Sequence, residues 1–436
     1  MEWSRFNLMF ESKRNGWLLF NCGSNSFVQM DEKTAKVVKR ARDNPDMDFS
    51  DSPDLYFKLR LGGFLVENGG DDDLVDTLKL KRLTFNYRGA GLSLAIAPTR
   101  ECNFACEYCY EKNRTPSKMS DETEKKIIEF IKSRNAVNRV HIEWYGGEPL
   151  LEPERMRSLS EKVRGLGKEY TSSLITNGYL LTPDVIGSLN ELGITFVQIT
   201  IDGLKESHDK RRFLVGGGAT YDKIIENMDN LMNSSWKGSL QIRINIDKQN
   251  KGEYSKYFEL FRNRYPKSPD KAVFIFTAFV YDDDNPENDM FCNSYEKGKF
   301  FAGIARDYGI NNFPIIPRRP LVGSCIMTQR NSYMVGPDGE VYKCLAELGR
   351  EEDAIGMVGE PDKWNTSSIA ERMIGASYLE DERCVKCSYF PVCDGGCHRV
   401  RLQNKRDNKK RDTCLPFKGN VEELLEIYYE HKNAQP

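Results

Sequence analysis

The sequence has no apolar run long enough to cross a bilayer, so no membrane-spanning helix is expected. It also has no excess of one charge. Lys and Arg number 63 and Asp and Glu number 65, for a formal net charge of −2. A hold on nucleic acid or on a membrane surface by bulk charge is therefore not expected. The opening residues, Met1-Glu2-Trp3-Ser4-Arg5, lack the basic-then-apolar order of a signal peptide. The expected compartment is the cytoplasm, where disulfides are rare. No repeat of fixed period and no low-complexity segment stands out. Hydrophobic residues make up 39% and charged residues 29%, which excludes a disordered chain.

What the sequence has is cysteine, 12 in 436 residues. A chain of this length suggests about three domains and needs no disulfides to fold. The cysteines are not spread evenly. Cys22 and Cys292 stand alone, and Cys102, Cys106 and Cys109 form a tight group. Cys325, Cys344, Cys384, Cys387, Cys393, Cys397 and Cys414 crowd the last quarter. Cys22 lies in the apolar run Trp17 to Cys22 and reads as a small buried hydrophobe. The clustered ones recur at intervals that let one loop wrap a metal or a cluster.

Residues 1–88 read as a small α+β module. Three short strands, Phe6 to Glu11, Gly16 to Cys22 and Ser26 to Asp31, are split by Arg14-Asn15-Gly16 and Gly23-Ser24-Asn25. Helices follow from Asp31, over Leu55 to Leu61, and from Asp71 toward Leu83. From residue 91 short apolar runs alternate with amphipathic helices. The runs are Leu92 to Ala97, Val140 to Tyr145, Ser173 to Thr176, Phe196 to Ile201, Leu240 to Ile246 and Val273 to Val280. Repeated βα units predict a parallel sheet, here a partial (β/α)6 barrel. Several strands end in polar or glycine-rich turns, which in such folds gather the chemistry at the C-terminal strand ends. The acidic stretch Tyr281 to Asp289 reads as a solvated loop. Residues 325–420 show little apolar periodicity, as expected where metal coordination replaces part of a core. Val421 to Lys432 reads as a closing amphipathic helix. The expected organisation is 1–88, 89–320 and 321–436.

Cys102-Asn-Phe-Ala-Cys106-Glu-Tyr-Cys109 follows the first barrel strand. Three cysteines leave one iron of a four-iron cluster open, whereas a structural zinc site normally takes four protein ligands. This spacing, with Tyr108 before the last cysteine, resembles the signature of the radical S-adenosylmethionine (SAM) enzymes. The resemblance implies a 4Fe–4S cluster on the three cysteines, SAM chelated at the open iron, and a 5′-deoxyadenosyl radical that abstracts hydrogen from a substrate. Further motifs resemble the family's. Gly146-Gly147-Glu148-Pro149 is similar to its GGEP turn at the SAM amino group. Thr176-Asn177-Gly178 and Thr200-Ile201-Asp202-Gly203 are similar to its later strand-end motifs near the SAM ribose and carboxylate. The resemblance thus implies SAM contacts at Tyr108, Gly146, Gly147, Glu148, Pro149, Asn177, Thr200, Asp202 and Arg212. Tyr108 is expected near the adenine through its backbone, and Arg212 at the SAM carboxylate; a surface arginine is the plain alternative for the latter.

The last seven cysteines, Cys325, Cys344, Cys384-x2-Cys387-x5-Cys393-x3-Cys397 and Cys414, resemble the SPASM domain of the same enzymes. That resemblance implies two auxiliary 4Fe–4S clusters, and so three clusters in all. One would use Cys325, Cys344 and Cys397; the other would be fully ligated by Cys384, Cys387, Cys393 and Cys414. Zinc ribbons are the competing reading. Many relatives carry an eighth cysteine just before the first of the seven, and Ile315 to Ser324 has none. Either the first auxiliary cluster keeps an open iron, which is the favoured reading, or Cys292 supplies the ligand. The basic segment His398 to Asp412 reads as a solvated connector.

Enzymes with this domain act mostly on peptides or proteins. The N-terminal module resembles the leader-peptide recognition element of maturases of ribosomally made natural products, in which a strand edge captures an extended peptide. The expected function is a radical SAM peptide maturase that forms a crosslink, with a cysteine thioether foremost. A carbon–carbon crosslink and a sulfatase-type formylglycine maturase are alternatives. A non-catalytic iron–sulfur or zinc protein is the reading from another class. The expected partners are a precursor peptide with its leader and reduced flavodoxin or ferredoxin as electron donor.

Overall fold

The computed structural model describes residues 1–111, 115–266, 271–280, 293–310 and 325–433. They form two compact units: Met1–Tyr87 with Asn293–Thr328 and Arg372–Pro436, and Arg88–Cys292 with Gln329–Glu371. Cys292, the acidic stretch 281–289 and residues 315–324 lie outside the described residues.

In the first unit, β1 (Glu2–Trp3) pairs antiparallel with β5 (Leu65–Val66). Strands β2 (Asn7–Ser12), β3 (Gly16–Asn21) and β4 (Phe27–Met30) make an antiparallel sheet with β3 in the middle. The turn into β3 needs the left-handed backbone of Gly16, at φ +67°. Helix Glu32–Asp43 starts where the Asp31 carboxylate accepts from the Thr34 N–H. Its Ala35 and Val38 pack with Leu19, Met30, Leu59, Phe64 and Leu65. These elements lie where the sequence puts them.

Their partners are less local. The closing helix Val421–Asn433 packs on the sheet, with Phe27 stacked on Tyr428 at 6.1 Å. The Tyr429 hydroxyl donates to Gln29 Oε1 at 2.6 Å. On helix Gly70–Tyr87, the buried Arg82 donates from Nη2 to the Cys393 carbonyl at 2.8 Å. Its guanidinium lies 5.1 Å and 5.2 Å from the Tyr378 and Phe390 ring centres. The N-terminal elements thus share one unit with residues 372–436 rather than standing apart.

The second unit is built on β6 (Gly91–Ile96), β7 (Arg139–Trp144), β8 (Glu169–Thr176), β9 (Ile194–Ile201), β10 (Ser239–Ile246) and β11 (Val273–Phe279). All six are parallel and adjacent in chain order, with helices between them, as in an open partial (β/α)6 barrel. On β10, Leu240, Ile242, Ile244 and Ile246 are buried. Gln241, Arg243 and Asn245 occupy the opposite face by strand alternation.

Beyond β6 the sheet continues. β12 (Ser332–Val335) pairs in parallel with β6, and β13 (Glu340–Tyr342) and β14 (Gly356–Met357) add antiparallel, for nine strands. Residues 329–371 therefore belong to the barrel's unit, although the sequence pattern grouped them with 321–436. The four residues of β12 are all buried, so the strand shows no apolar–polar alternation to read. Tyr333 of β12 anchors it, lying 6.1 Å from Phe130 and 5.0 Å from Trp364 between ring centres. Among the described residues no helix is long and apolar enough to cross a membrane.

Candidate functional site

The loop bearing Cys102, Cys106 and Cys109 leaves β6 and is held on three sides. Gly147 N–H donates to the Thr99 carbonyl at 3.2 Å, and Glu148 N–H to the Glu101 carbonyl at 2.9 Å. On another side, Ala105 N–H donates to the Phe213 carbonyl and Val215 N–H to the Asn103 carbonyl, each at 2.9 Å. On the third, Arg100 Nη1 donates to Glu340 Oε1 at 3.0 Å, so the hairpin of β12 and β13 braces the loop.

The glycines after β7 serve this clamp. A Cβ on Gly147 would lie 2.1 Å from the Glu101 carbonyl oxygen, and one on Gly146 would lie 2.5 Å from that of Thr99. Gly146 also has φ +116°, a conformation that side-chain-bearing residues rarely adopt. The close approach these glycines permit is to the cysteine loop itself. Pro149 begins a short 3-10 turn, Pro149–Leu151, suited to a residue without an N–H.

Glu148 is fully buried. Its Oε1 accepts from Leu150 N–H at 3.0 Å and from the Thr176 hydroxyl at 2.8 Å, and its Oε2 from Asn177 N–H at 2.8 Å. Burial raises its pKa, against these hydrogen bonds and the Arg212 charge. Asn177 continues the chain of contacts, donating from Nδ2 to Asn103 Oδ1 at 2.7 Å. Thr200 stands on β9 opposite Arg243 of β10.

Tyr108 is the hub of a buried polar network. Its hydroxyl donates to Asp202 Oδ1 at 2.8 Å and accepts from Arg212 Nη1 at 2.9 Å and Asn245 Nδ2 at 3.1 Å. Asp202 is fully buried and its Oδ2 accepts from Arg211 Nε at 3.0 Å. Arg211 also pairs with Asp247. Asn250 Nδ2 donates to the Asp202 carbonyl at 2.7 Å. Arg212 is buried, not a surface arginine.

The sequence pointed to Tyr108, Asp202 and Arg212 but not to Arg211, Asn245 or Asp247. The available signal was the alternation of Gln241, Arg243 and Asn245 within an otherwise aliphatic strand, which aims polar groups at one face.

The donor set fits an iron–sulfur cluster with SAM. Burial pushes the Cys102 thiol up to about 12, reinforced by Glu148, and the Cys109 thiol up to about 11. The three thiols lie within electrostatic range of one another. Among the described residues no three His, Cys, Asp or Glu side chains are grouped to hold a single metal ion. A 4Fe–4S cluster does not require that grouping, because each thiolate takes a different iron. Arg212 Nε and Arg211 Nη2 are buried without a hydrogen-bond partner. Arg212 Nε lies 3.9 Å from Asp202 Oδ1, and these N–H groups without a hydrogen-bond partner leave room for an anionic ligand group.

A second cysteine site lies wholly in the first unit. Cys384, Cys387, Cys393 and Cys414 line one cavity of about 700 Å³. Their sulfurs accept hydrogen bonds: Cys384 from Arg401 Nη2 at 3.1 Å, Cys414 from Lys418 Nζ at 3.3 Å and Cys393 from Gly395 N–H at 3.3 Å. Burial pushes the Cys393 thiol up to about 12. Four thiols around one cavity, three of them accepting N–H donors, fit a fully ligated cluster.

The remaining trio is distributed between the units. Cys325 packs with Met327, Ala376 and Leu402 in the first. Cys397 precedes helix His398–Arg406 in the same unit. Cys344 follows β13 in the second unit, within electrostatic range of Tyr145, which Cys109 also approaches.

The barrel and its cysteine loop define the class. Residues 96–261 match the Radical SAM superfamily, so the barrel of the second unit carries a radical SAM domain and the chain is an enzyme. A 4Fe–4S cluster and SAM are the cofactors of that class.

Among its relatives is a cysteine-type anaerobic sulfatase-maturating enzyme of Clostridium novyi. It is 25% identical over 77% of this chain and 95% of its own length. A serine-type anaerobic sulfatase-maturating enzyme of Bacteroides thetaiotaomicron is 32% identical over 29% of this chain and 33% of its own length. Two solved structures share the fold. Native anSMEcpe with bound AdoMet has TM-score 0.61 and 20% identity, covering 78% of this chain and 97% of that one. Streptococcus suis SuiB bound to precursor peptide SuiA has TM-score 0.52 and 14% identity, covering 95% of this chain and 98% of that one.

Proposed function

We propose that the chain is a peptide maturase that crosslinks a ribosomally made precursor, joining a cysteine sulfur to a peptide carbon. The observation that carries this reading is the presence of two kinds of cysteine site in one chain. Three cysteines share a strand-end loop beside orphaned arginine N–H groups, and four others surround a separate cavity. Cys102, Cys106 and Cys109 would hold the cluster that binds SAM, and Cys384, Cys387, Cys393 and Cys414 a fully ligated one. Cys325, Cys344 and Cys397 are assigned to a third, whose open iron would suit a substrate thiolate. When bound, the first cluster and SAM supply a carbon-centred radical that removes a hydrogen atom from the peptide.

The chain's own residues bind and orient. Arg212 and Arg211 offer N–H groups to the SAM carboxylate, and Tyr108 fixes Arg212 and Asp202 against each other. Glu148 and Asn177 tie the ends of β7 and β8 to the cysteine loop. The β2–β3–β4 sheet has β2 and β4 as its outer strands, and an extended leader could add to one of them through backbone hydrogen bonds. Reduced flavodoxin or ferredoxin is the proposed electron donor, and the proposed compartment is the cytoplasm.

Sulfatase-type maturation is the second reading. It is supported by relatives with that name that align over 77% of this chain. One experiment separates the readings. The chain is co-expressed anaerobically with any short cysteine-bearing peptide found encoded next to its gene, and the peptide is analysed by mass spectrometry. A thioether shows as loss of two hydrogens, one from carbon and one from sulfur, with the cysteine no longer alkylated. The same loss with an alkylatable cysteine indicates a carbon–carbon bond. An aldehyde trapped by a hydrazide indicates formylglycine. An unmodified peptide from a fully reconstituted enzyme overturns the maturase reading, and Cys106→Ala must abolish any product.

A further inference from the structure

The cavity lined by Cys384, Cys387, Cys393 and Cys414 carries two cations aimed at sulfur. Arg401, on helix His398–Arg406, is nearly buried, with its side chain 11% exposed. Three acceptors hold its guanidinium. Nη2 donates to Cys384 Sγ at 3.1 Å, Nη1 to Asp381 Oδ2 at 3.1 Å and Nε to the Gly395 carbonyl at 2.6 Å. Across the cavity, Lys418 Nζ donates to Cys414 Sγ at 3.3 Å. A third donor, Gly395 N–H, reaches Cys393 Sγ from the backbone.

The acidic groups nearby do not cancel this arrangement. Asp381 is shared with Arg383, which donates to it from Nε at 3.2 Å and from Nη2 at 3.0 Å. Asp412 accepts from Ser294 N–H at 2.7 Å and from Cys414 N–H at 2.8 Å. Asp394 beside Cys393 and Asp412 beside Cys414 act in the opposite sense, and among the described residues Arg401 and Lys418 are the charged donors on ligand sulfurs.

We propose that Arg401 and Lys418 set the electron affinity of the centre held by these four cysteines, as positioning residues that raise its reduction potential. This rests on the reading above, in which the four cysteines hold a 4Fe–4S cluster. The physics is direct. Reduction adds one negative charge, spread over the irons and sulfurs. A charged N–H directed at a ligand sulfur stabilises the reduced state more than the oxidised one. The effect is strongest where water is excluded, which favours Arg401 over the more exposed Lys418. Arginine suits this place because its fork engages the sulfur, Asp381 and the backbone together, so the donor cannot swing away.

The test is a redox titration followed by electron paramagnetic resonance on the reconstituted full-length protein. Cys102, Cys106 and Cys109 are replaced by Ala, so that only auxiliary signals remain. The variants are Arg401→Gln, Arg401→Lys and Lys418→Met, with iron content measured in each. The expected result is that one midpoint moves to lower potential in Arg401→Gln and in Lys418→Met. It should move further in the double variant and return most of the way in Arg401→Lys. A merely structural role would reduce iron and signal intensity without moving the midpoint. Unchanged midpoints at full iron content overturn the proposal. Where Arg401→Gln loses iron, Lys418→Met decides. A Cys384→Ala/Cys387→Ala control separates the two levels: if it loses no iron, the four-cysteine cluster itself is wrong.

Discussion

The Tyr108 hydroxyl donates to the Asp202 carboxylate at 2.8 Å, joining residues 94 positions apart in the chain. This bond links the cysteine loop to the end of β9, and Arg212 and Asn245 complete it. Tyr108 was expected to act near the adenine through its backbone, but its side chain does something further. It keeps a buried carboxylate and a buried guanidinium in register. Tyr108→Phe preserves ring packing and removes only the hydroxyl. It leaves three buried polar groups each short of one partner, at about 1–3 kcal/mol for an unsatisfied group. The expected outcome is SAM affinity weakened about tenfold or more with iron content unchanged. Equilibrium SAM binding to the reconstituted protein reads this directly. Wild-type affinity would mean that the network does not orient the SAM site.

Gly147 has no room for a side chain, because a Cβ would meet the Glu101 carbonyl oxygen at 2.1 Å. The obstacle is backbone and cannot rotate away. Gly147→Ala must therefore push the cysteine loop off the β7 turn and break the bonds to the Thr99 and Glu101 carbonyls. The expected result is a protein that folds but loses the cluster proposed on Cys102, Cys106 and Cys109, about four irons per chain. Iron and sulfide analysis checks it. Full iron content with wild-type SAM cleavage would show that the clamp is dispensable.

The barrel was legible because each of its strands is a short aliphatic run bounded by polar turns, and its helices carry clear amphipathic spacing. The cysteine groups stood out because their spacing is itself a sequence pattern. Three things were not. The strand β12 is buried throughout, so it lacks the alternation that marks a half-exposed strand. The union of the N-terminal elements with residues 372–436 depends on single long-range contacts, such as Arg82 with the Cys393 carbonyl. The roles of Arg211 and Asn245 arise only when β9 and β10 bring them beside Tyr108 and Asp202. Local pattern reports what a segment can form, whereas these features depend on what the segment meets.

His208 gives a pH prediction. It is fully buried, and its pKa is held well below the ordinary imidazole range, first by burial and then by the Arg212 and Arg211 charges. The neutral ring accepts the Asp202 N–H at Nδ1, at 3.2 Å, and its Nε2 faces the Thr220 hydroxyl, also at 3.2 Å. Unfolding exposes an ordinary imidazole with a pKa of about 6.5. Below that pH the unfolded chain binds a proton that the folded chain refuses. The stability this group provides is therefore full above about pH 6.5. It declines as pH falls toward the folded pKa, by up to about 1.4 kcal/mol per pH unit. His141, also lowered by burial, acts in the same direction. The urea midpoint should drop between pH 7 and pH 5, and His208→Gln should flatten part of that slope. Equal slopes in the two proteins would remove His208 from the account.

Arg82 supplies the last prediction. Its side chain spans from helix Gly70–Tyr87 to the Cys393 carbonyl, with its guanidinium near the Tyr378 and Phe390 rings. Burial lowers its pKa, while Tyr378, Cys393 and Asp394 oppose that shift. Arg82→Met keeps much of the apolar stem and removes the charge and its hydrogen bonds. The Cys393 carbonyl then loses its donor, at about 1–3 kcal/mol, and the segment between Cys387 and Cys393 loses its anchor on the N-terminal helix. The expected outcome is a lower melting temperature and faster loss of iron to a chelator from the cluster proposed at the four cysteines. SAM affinity should stay at the wild-type value, because Arg82 touches none of the residues around Tyr108. A variant that melts lower but releases iron at the wild-type rate would show that the N-terminal helix supports the unit without supporting its cluster.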